Sequence, residues 1–128
     1  AATDFPSLNV TAAWWDNSWH VTVGARPLRA TLLRGEACGL TSEQPSEDEL
    51  RALAASVRAL SYGTNLWGSA EYRRRISAPL AIQAVRRAAG IELSAALARE
   101  LETVQIPKFA TDEYSCRRVP GVDSSEVR

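Results

Sequence analysis

The chain reads as a small α+β domain: a three-stranded antiparallel sheet with two or three helices packed on one side, plus an extended C-terminal tail. Three observations lead there. Residues 8–23 hold two β-favouring runs separated by turn residues. Residues 46–60 and 69–89 carry apolar side chains at helical spacing behind capping residues. The chain has 128 residues, 45% of them apolar, enough for one core and hardly for two. The domain is expected over residues 1–102 and the tail over 103–128.

In the first run, residues 8–15 (LNVTAAWW), Val10, Thr11, Trp14 and Trp15 are the strongest strand formers. Asp16, Asn17 and Ser18 supply turn chemistry. Residues 19–23 (WHVTV) resume the strand, with Trp19, Val21 and Val23 on one face and His20 and Thr22 on the other. The pair predicts a hairpin with one buried face. Residues 24–27 interrupt it, because proline cannot donate to a central ladder. Residues 29–33 form a third strand or an edge continuation.

Residues 35–45 are expected as a loop. Ser46 then opens a helix, and Glu49 three places on completes a capping box. Leu50, Leu53, Val57 and Leu60 form its apolar stripe, which needs a sheet to cover. Residues 61–68 (SYGTNLWG) make an aromatic-rich loop. Ser69 caps a longer helix to about Ala89, on which Tyr72, Ile76 and Leu80 stack four apart and Ile82, Val85 and Ala89 widen the apolar surface. Pro79 removes one of its backbone bonds and is expected to bend it. Gly90 ends it or marks a break before a shorter segment over residues 93–102.

Fifteen basic residues balance fifteen acidic ones, which argues against a strong non-specific grip on nucleic acid. All the basic residues except Lys108 are arginine, a side chain suited to planar, bidentate pairing and stacking. Residues 69–90 carry five arginines and one glutamate, so the long helix is an electropositive element in a neutral chain. Cys38 and Cys116 are read as two thiols in a reducing compartment rather than a disulfide. No apolar run approaches the roughly 20 residues that span a bilayer, and no signal peptide is visible. A cytoplasmic protein with no membrane partner is expected.

No reactive constellation emerges. His20 is the single histidine, and on an alternating strand it faces solvent or fills a cross-strand contact. A catalytic base needs a nucleophile and a partner within reach. Structural zinc wants four convergent ligands; here two cysteines and one histidine are scattered. The acids around Glu47 to Glu49 sit in a first helical turn, where the helix dipole accounts for them. Gly24, Gly35, Gly39 and Gly63 lack either phosphate-cradling spacing. No catalytic residue and no metal ligand is therefore expected, and any nucleotide cofactor would be held mainly by other domains.

Arg73, Arg74 and Arg75 sweep about 200° of the helix, so they cannot all face one phosphate. One or two can pair with a partner's acids. A role in binding single-stranded nucleic acid would use Trp14, Trp15 and Trp19 as stacking platforms. Their place on strands with a buried face favours core use for at least two of them.

Residues 68–75 (GSAEYRRR), followed by residues 84–88 (AVRRA), resemble the last helix of one known domain. That domain is the C-terminal part of the FAD-binding (medium) subunit in the xanthine dehydrogenase and carbon monoxide dehydrogenase family of molybdenum hydroxylases. The family often carries a Ser-Ala-x-Tyr-Arg box at that helix start. Residues 8–13 resemble its first strand, and residues 23–29 (VGARPLR) resemble the strand end and turn that follow. The resemblance covers roughly residues 7–91. It implies a three-stranded antiparallel sheet with helices against it, in a non-catalytic domain or small subunit that supports the FAD-binding region and subunit assembly for electron transfer. The implied partners are larger FAD-binding, iron–sulfur and molybdopterin-binding chains. FAD would be bound in the assembled complex and not by the isolated chain.

Candidate interface residues are Tyr72, Arg73, Arg74, Tyr62 and Trp67. Tyr72 offers a large ring with a hydroxyl handle. Arg73 can clamp a carboxylate or carbonyl, on a partner or as a local tie between helix start and sheet. The alternatives are a protein-interaction or assembly domain unrelated to redox chemistry and, third, a nucleic-acid-binding domain.

Overall fold

The computed structural model describes residues 7–102. Three strands, β1 (Asn9–Trp15), β2 (Ser18–Gly24) and β3 (Thr31–Arg34), form one antiparallel sheet in the order β1-β2-β3. Three α-helices follow: α1 (Glu47–Arg58), α2 (Ala70–Ala89) and α3 (Ala95–Glu102). This is the expected α+β architecture. The expected tail over residues 103–128 lies outside the described residues, as does Cys116.

The hairpin forms because Asp16 and Asn17 tolerate left-handed backbone. Their φ angles are 50° and 56°, the signature of a two-residue type I′ turn whose twist matches the strands it joins. Register then places Trp14 opposite Trp19 and Ala12 opposite Val21. Trp19, Val21 and Val23 are fully buried, while His20 and Thr22 lie on the open face. The Trp19 indole meets Trp14 edge-on at 5.7 Å and donates to the Ser42 carbonyl at 2.8 Å. One side chain thus ties the sheet to the segment that leads into α1. The third strand starts two residues later than expected, at Thr31, and a single 3-10 turn over Gly35–Cys38 occupies the start of the expected loop. Cys38 is free and buried in that turn, its thiol donating to the Gly35 carbonyl at 3.0 Å.

The capping box at Ser46 forms as the spacing predicts. Glu49 does more than complete it. Its carboxylate accepts from the backbone of Thr41, Ser42 and Ser46 and from the hydroxyls of Thr41 and Ser42, at 2.7–3.1 Å. The loop before α1 is therefore folded onto a single carboxylate. Partial burial pushes the Glu49 carboxyl up, but these hydrogen bonds outweigh it and hold it at about 2.

Helix α1 buries Leu50, Leu53, Ala54 and Val57. Helix α2 packs on both α1 and β1. Its buried face is Arg73, Ser77, Ala78, Ala81, Ile82 and Val85; Ile82 and Val85 are buried as expected, but the Tyr72, Ile76 and Leu80 stripe is not. Tyr72 and Ile76 are half-buried, and Leu80 is exposed. Ser77, Ala78 and Ala81 keep part of that buried face small-sided, beside the larger Arg73, Ile82 and Val85. Gly90 ends α2 at φ 67°, a left-handed C-cap that L side chains adopt at a cost. Ser94 caps the turn leading into α3 by accepting from the Leu97 amide at 3.1 Å, and Leu97 seals the core. Arg51 and Glu100 pair across α1 and α3 at 3.0 Å.

Two outcomes test this packing. Leu53→Ala should lower stability by about 2–5 kcal/mol, read as a lower urea midpoint with unchanged slope. Glu49 has a depressed folded pKa, so its contribution is present above its ordinary value of 4.5 and is lost as pH falls toward about 2. Glu49→Gln should therefore be less stable than the parent at neutral pH, with the gap closing over that acid window in parallel denaturant titrations.

Candidate interface at the arginine-tied loop end

Residues 25–30 and 61–68 meet at one end of the sheet, where two buried arginines hold them. Arg73 lies in the first turn of α2, behind the Ser69 cap, whose hydroxyl accepts from the Tyr72 amide at 3.0 Å. Its guanidinium is 1% exposed. Nε donates to the Ser7 carbonyl at 2.7 Å, Nη1 to the carbonyls of Gly63 (2.9 Å) and Gly68, and Nη2 to Asn65 Oδ1 at 2.7 Å. A buried cation costs several kcal/mol unless its donors are satisfied. Here a fork of neutral oxygens satisfies them through charge-assisted hydrogen bonds. Gly68 lies against both side chains: a Cβ there would stand in ordinary contact, 3.4 Å from the Tyr72 ring and 3.7 Å from the guanidinium.

The loop is closed by a tight turn. Asn65 N–H donates to the Gly68 carbonyl at 3.0 Å, Gly68 N–H donates back at 3.3 Å, and Asn65 Oδ1 also accepts from Trp67 N–H at 2.9 Å. Thr64 Oγ1 accepts from the Ala70 amide, so the same loop satisfies an orphan donor of α2. At the tip of this turn Leu66 is 97% exposed and Trp67 67% exposed.

Arg26 performs the matching task for the neighbouring loop. Its guanidinium donates to the Ser61 carbonyl, to the Arg29 carbonyl at 2.6 Å and to Thr31 Oγ1 at 2.6 Å. Its own carbonyl accepts from Gly63 N–H at 2.7 Å. Tyr62 is buried beside it, donating to the Val57 carbonyl at 2.6 Å, with the guanidinium carbons of Arg26 and Arg74 at 5.9 and 5.6 Å from its ring centroid. Burial pushes the Tyr62 hydroxyl up; the hydrogen-bonding and charge contributions of Ser77, Arg26 and Arg74 oppose that.

The five expected interface residues thus occupy different environments. Arg73 and Tyr62 point inward and tie the loops, Tyr72 is half-buried, and Arg74 is exposed with Nε donating to the Arg58 carbonyl at 3.2 Å. Trp67 alone among them presents a large apolar surface to solvent. Leu66 and Leu28, neither singled out in the sequence reading, are exposed on the same two loops. Their signal was available: each is an apolar residue in a turn outside any periodic stripe. Of the three hairpin tryptophans, only Trp15 is largely exposed, at 66%. His20 Nδ1 lies 3.2 Å from the Ser18 carbonyl, and the ring stands 5.5 Å from that of Trp15. Among the described residues, no three Cys, His, Asp or Glu side chains converge as a metal site requires.

This geometry suits contact chemistry. Arg73, and Arg26 through Nη1 and Nη2, donate to the protein's own oxygens, while Arg26 Nε is buried without a partner among the described residues; the result is a tied loop end with an apolar tip. No family model, curated protein or solved structure matches the chain.

Arg73→Ala should strand several buried carbonyls and cost about 3 kcal/mol or more in a denaturant midpoint. Trp67→Ala should leave stability within about 0.5 kcal/mol of the parent, because its side chain is outside the core.

Proposed function

We propose that this chain is a non-catalytic domain or small subunit of a flavin-containing molybdenum hydroxylase. In this reading it supports the FAD-binding region and helps assemble it with iron–sulfur and molybdopterin-binding chains for electron transfer. FAD is held mainly by the larger partners. The observation that carries the reading is the physical unity of residues 68–73, the segment on which the resemblance rests. The Gly68 carbonyl accepts from Arg73, Ser69 caps the helix, the Tyr72 ring lies against the glycine, and Arg73 ties the loop to the entry of β1. The element order, three antiparallel strands followed by a shorter and then a longer helix, agrees with what the resemblance implies. The apolar tip at Leu66 and Trp67 supplies a contact surface for a larger neighbour.

Purification of the chain from its native source under mild conditions should bring down large companion chains with a flavin absorbance spectrum. Leu66→Ser with Trp67→Ser should reduce that recovery at least tenfold while leaving the fold unchanged. A colourless chain with no large companion would sink the proposal. A colourless companion would favour the second reading, an assembly domain without redox chemistry, which the same exposed tip also supports.

A further inference from the structure

The two edges of the sheet differ in kind. β3 is four residues long and ends on Arg34, a short and charged edge of the sort that discourages pairing. β1 is seven residues long, holds no charge and no proline, and ends on two tryptophans. Its outer edge is unguarded. The two-residue turn makes Trp15 and Ser18 the hydrogen-bonded closing pair. Alternation along the ladder then turns the N–H and C=O groups of Val10, Ala12 and Trp14 away from β2. Among the described residues no hydrogen bond reaches those groups.

Burial reports the same open edge. Trp19, Val21 and Val23 of β2 are sealed, yet the residues opposite them, Trp14, Ala12 and Val10, are only half-buried. Helix α2 packs against β1 without closing off its inner side chains. Among the described residues, no strand lies beyond β1, and that is the difference.

We propose that β1 is a pairing edge for a second copy of this chain. Two β1 strands join antiparallel about a two-fold axis at Ala12, turning two three-stranded sheets into one continuous sheet. A strand is the occupant whose backbone satisfies alternating donors and acceptors along an edge. A two-fold contact further requires that one patch complement itself, and β1 does. Val10 meets Trp14 of the second copy on the inner face, an aromatic and β-branched pair. On the outer face Thr11 meets Ala13, and Asn9 meets Trp15. Each indole lies opposite a smaller side chain, and no charge opposes another. The Ser7 hydroxyl donates to the Trp67 carbonyl at 3.4 Å, so Trp67 stands beside the entry of β1. In this register that entry meets the Trp14–Trp15 end of the second copy. The pairing needs no flavin partner and stands independently of the function proposed above.

Sedimentation equilibrium of the full chain, from micromolar to millimolar, tests it. The mass should rise with concentration to twice the 13.9 kDa chain. Thr11→Lys with Ala13→Lys sets like charges opposite one another across the axis at exposed positions, and should hold the mass at that of one chain with an unchanged circular dichroism spectrum. Mixing it with the Thr11→Glu, Ala13→Glu variant should restore the doubled mass. Amide exchange on the unmodified chain gives a reading free of substitutions: the N–H groups of Val10, Ala12 and Trp14 should gain protection as concentration rises. A single-chain mass up to millimolar overturns the proposal, including the case in which the chain instead binds an added extended peptide. So does a doubled mass that survives the lysine pair, or exchange at those three amides that ignores concentration.

Discussion

The guanidinium of Arg73, buried against four neutral oxygens, fixes the relation between α2, the loop over residues 61–68 and the entry of the first strand. No carboxylate faces it among these contacts. The charge is tolerated because the planar fork presents several donors in fixed directions and each finds an oxygen. A lysine has one compact ammonium and could not reach Ser7, Gly63, Asn65 and Gly68 together. The carbonyls gain as much as the cation does, since a loop folded this tightly would otherwise bury them unpaired. Arg26 repeats the arrangement one loop away, so the sheet end is built from backbone oxygens gathered around two cations.

That arrangement decides what the surface can offer. Among the described residues, Cys38 and Tyr62 are engaged inside: burial pushes the Cys38 thiol up as it donates to Gly35, and the Tyr62 hydroxyl is committed to Val57. Outside stand apolar side chains on well-tied backbone, namely Leu28, Leu66, Trp67 and Trp15. A rigid apolar surface gains binding energy without losing much conformational freedom on association. The loop tip and the open edge of β1 therefore have the physical character of docking surfaces, as proposed above. The tip suits the larger partner proposed here, and the edge suits a second copy.

The hairpin, the capping box at Ser46, the Ser69 cap and the Gly90 stop were legible in the sequence because each is a local event. The bond that rewards each residue type lies within a few positions of it. The β2 face was legible for the same reason, since period-two alternation is written in adjacent residues. The candidate site was less so. Arg74 and Tyr62 read as interface groups, and Arg73 as either a partner clamp or a local tie between helix start and sheet; the tie is what forms, but nothing nearby announces that it will meet Ser7. The Tyr72, Ile76 and Leu80 stripe misled in the other direction. Apolar size suggested a buried face, yet the side that is buried carries Arg73, Ser77, Ala78 and Ala81 together with Ile82 and Val85.

The sequence by itself determined the architecture: three strands, then helices with marked starts, in an order that only an α+β layer accommodates. Local propensity, capping and periodicity suffice for that, because their energies are set within one or two turns of chain. Only the tertiary structure decided which polar groups are inside. Glu49 became the centre of the loop before α1, Arg73 and Arg26 became internal ties, and Trp67 stayed in solvent. Those fates depend on oxygens brought together from distant positions, and desolvation makes a buried cation costly unless most of its donors are met, as those of Arg73 are and as Nη1 and Nη2 of Arg26 are, with Arg26 Nε left unpartnered among the described residues.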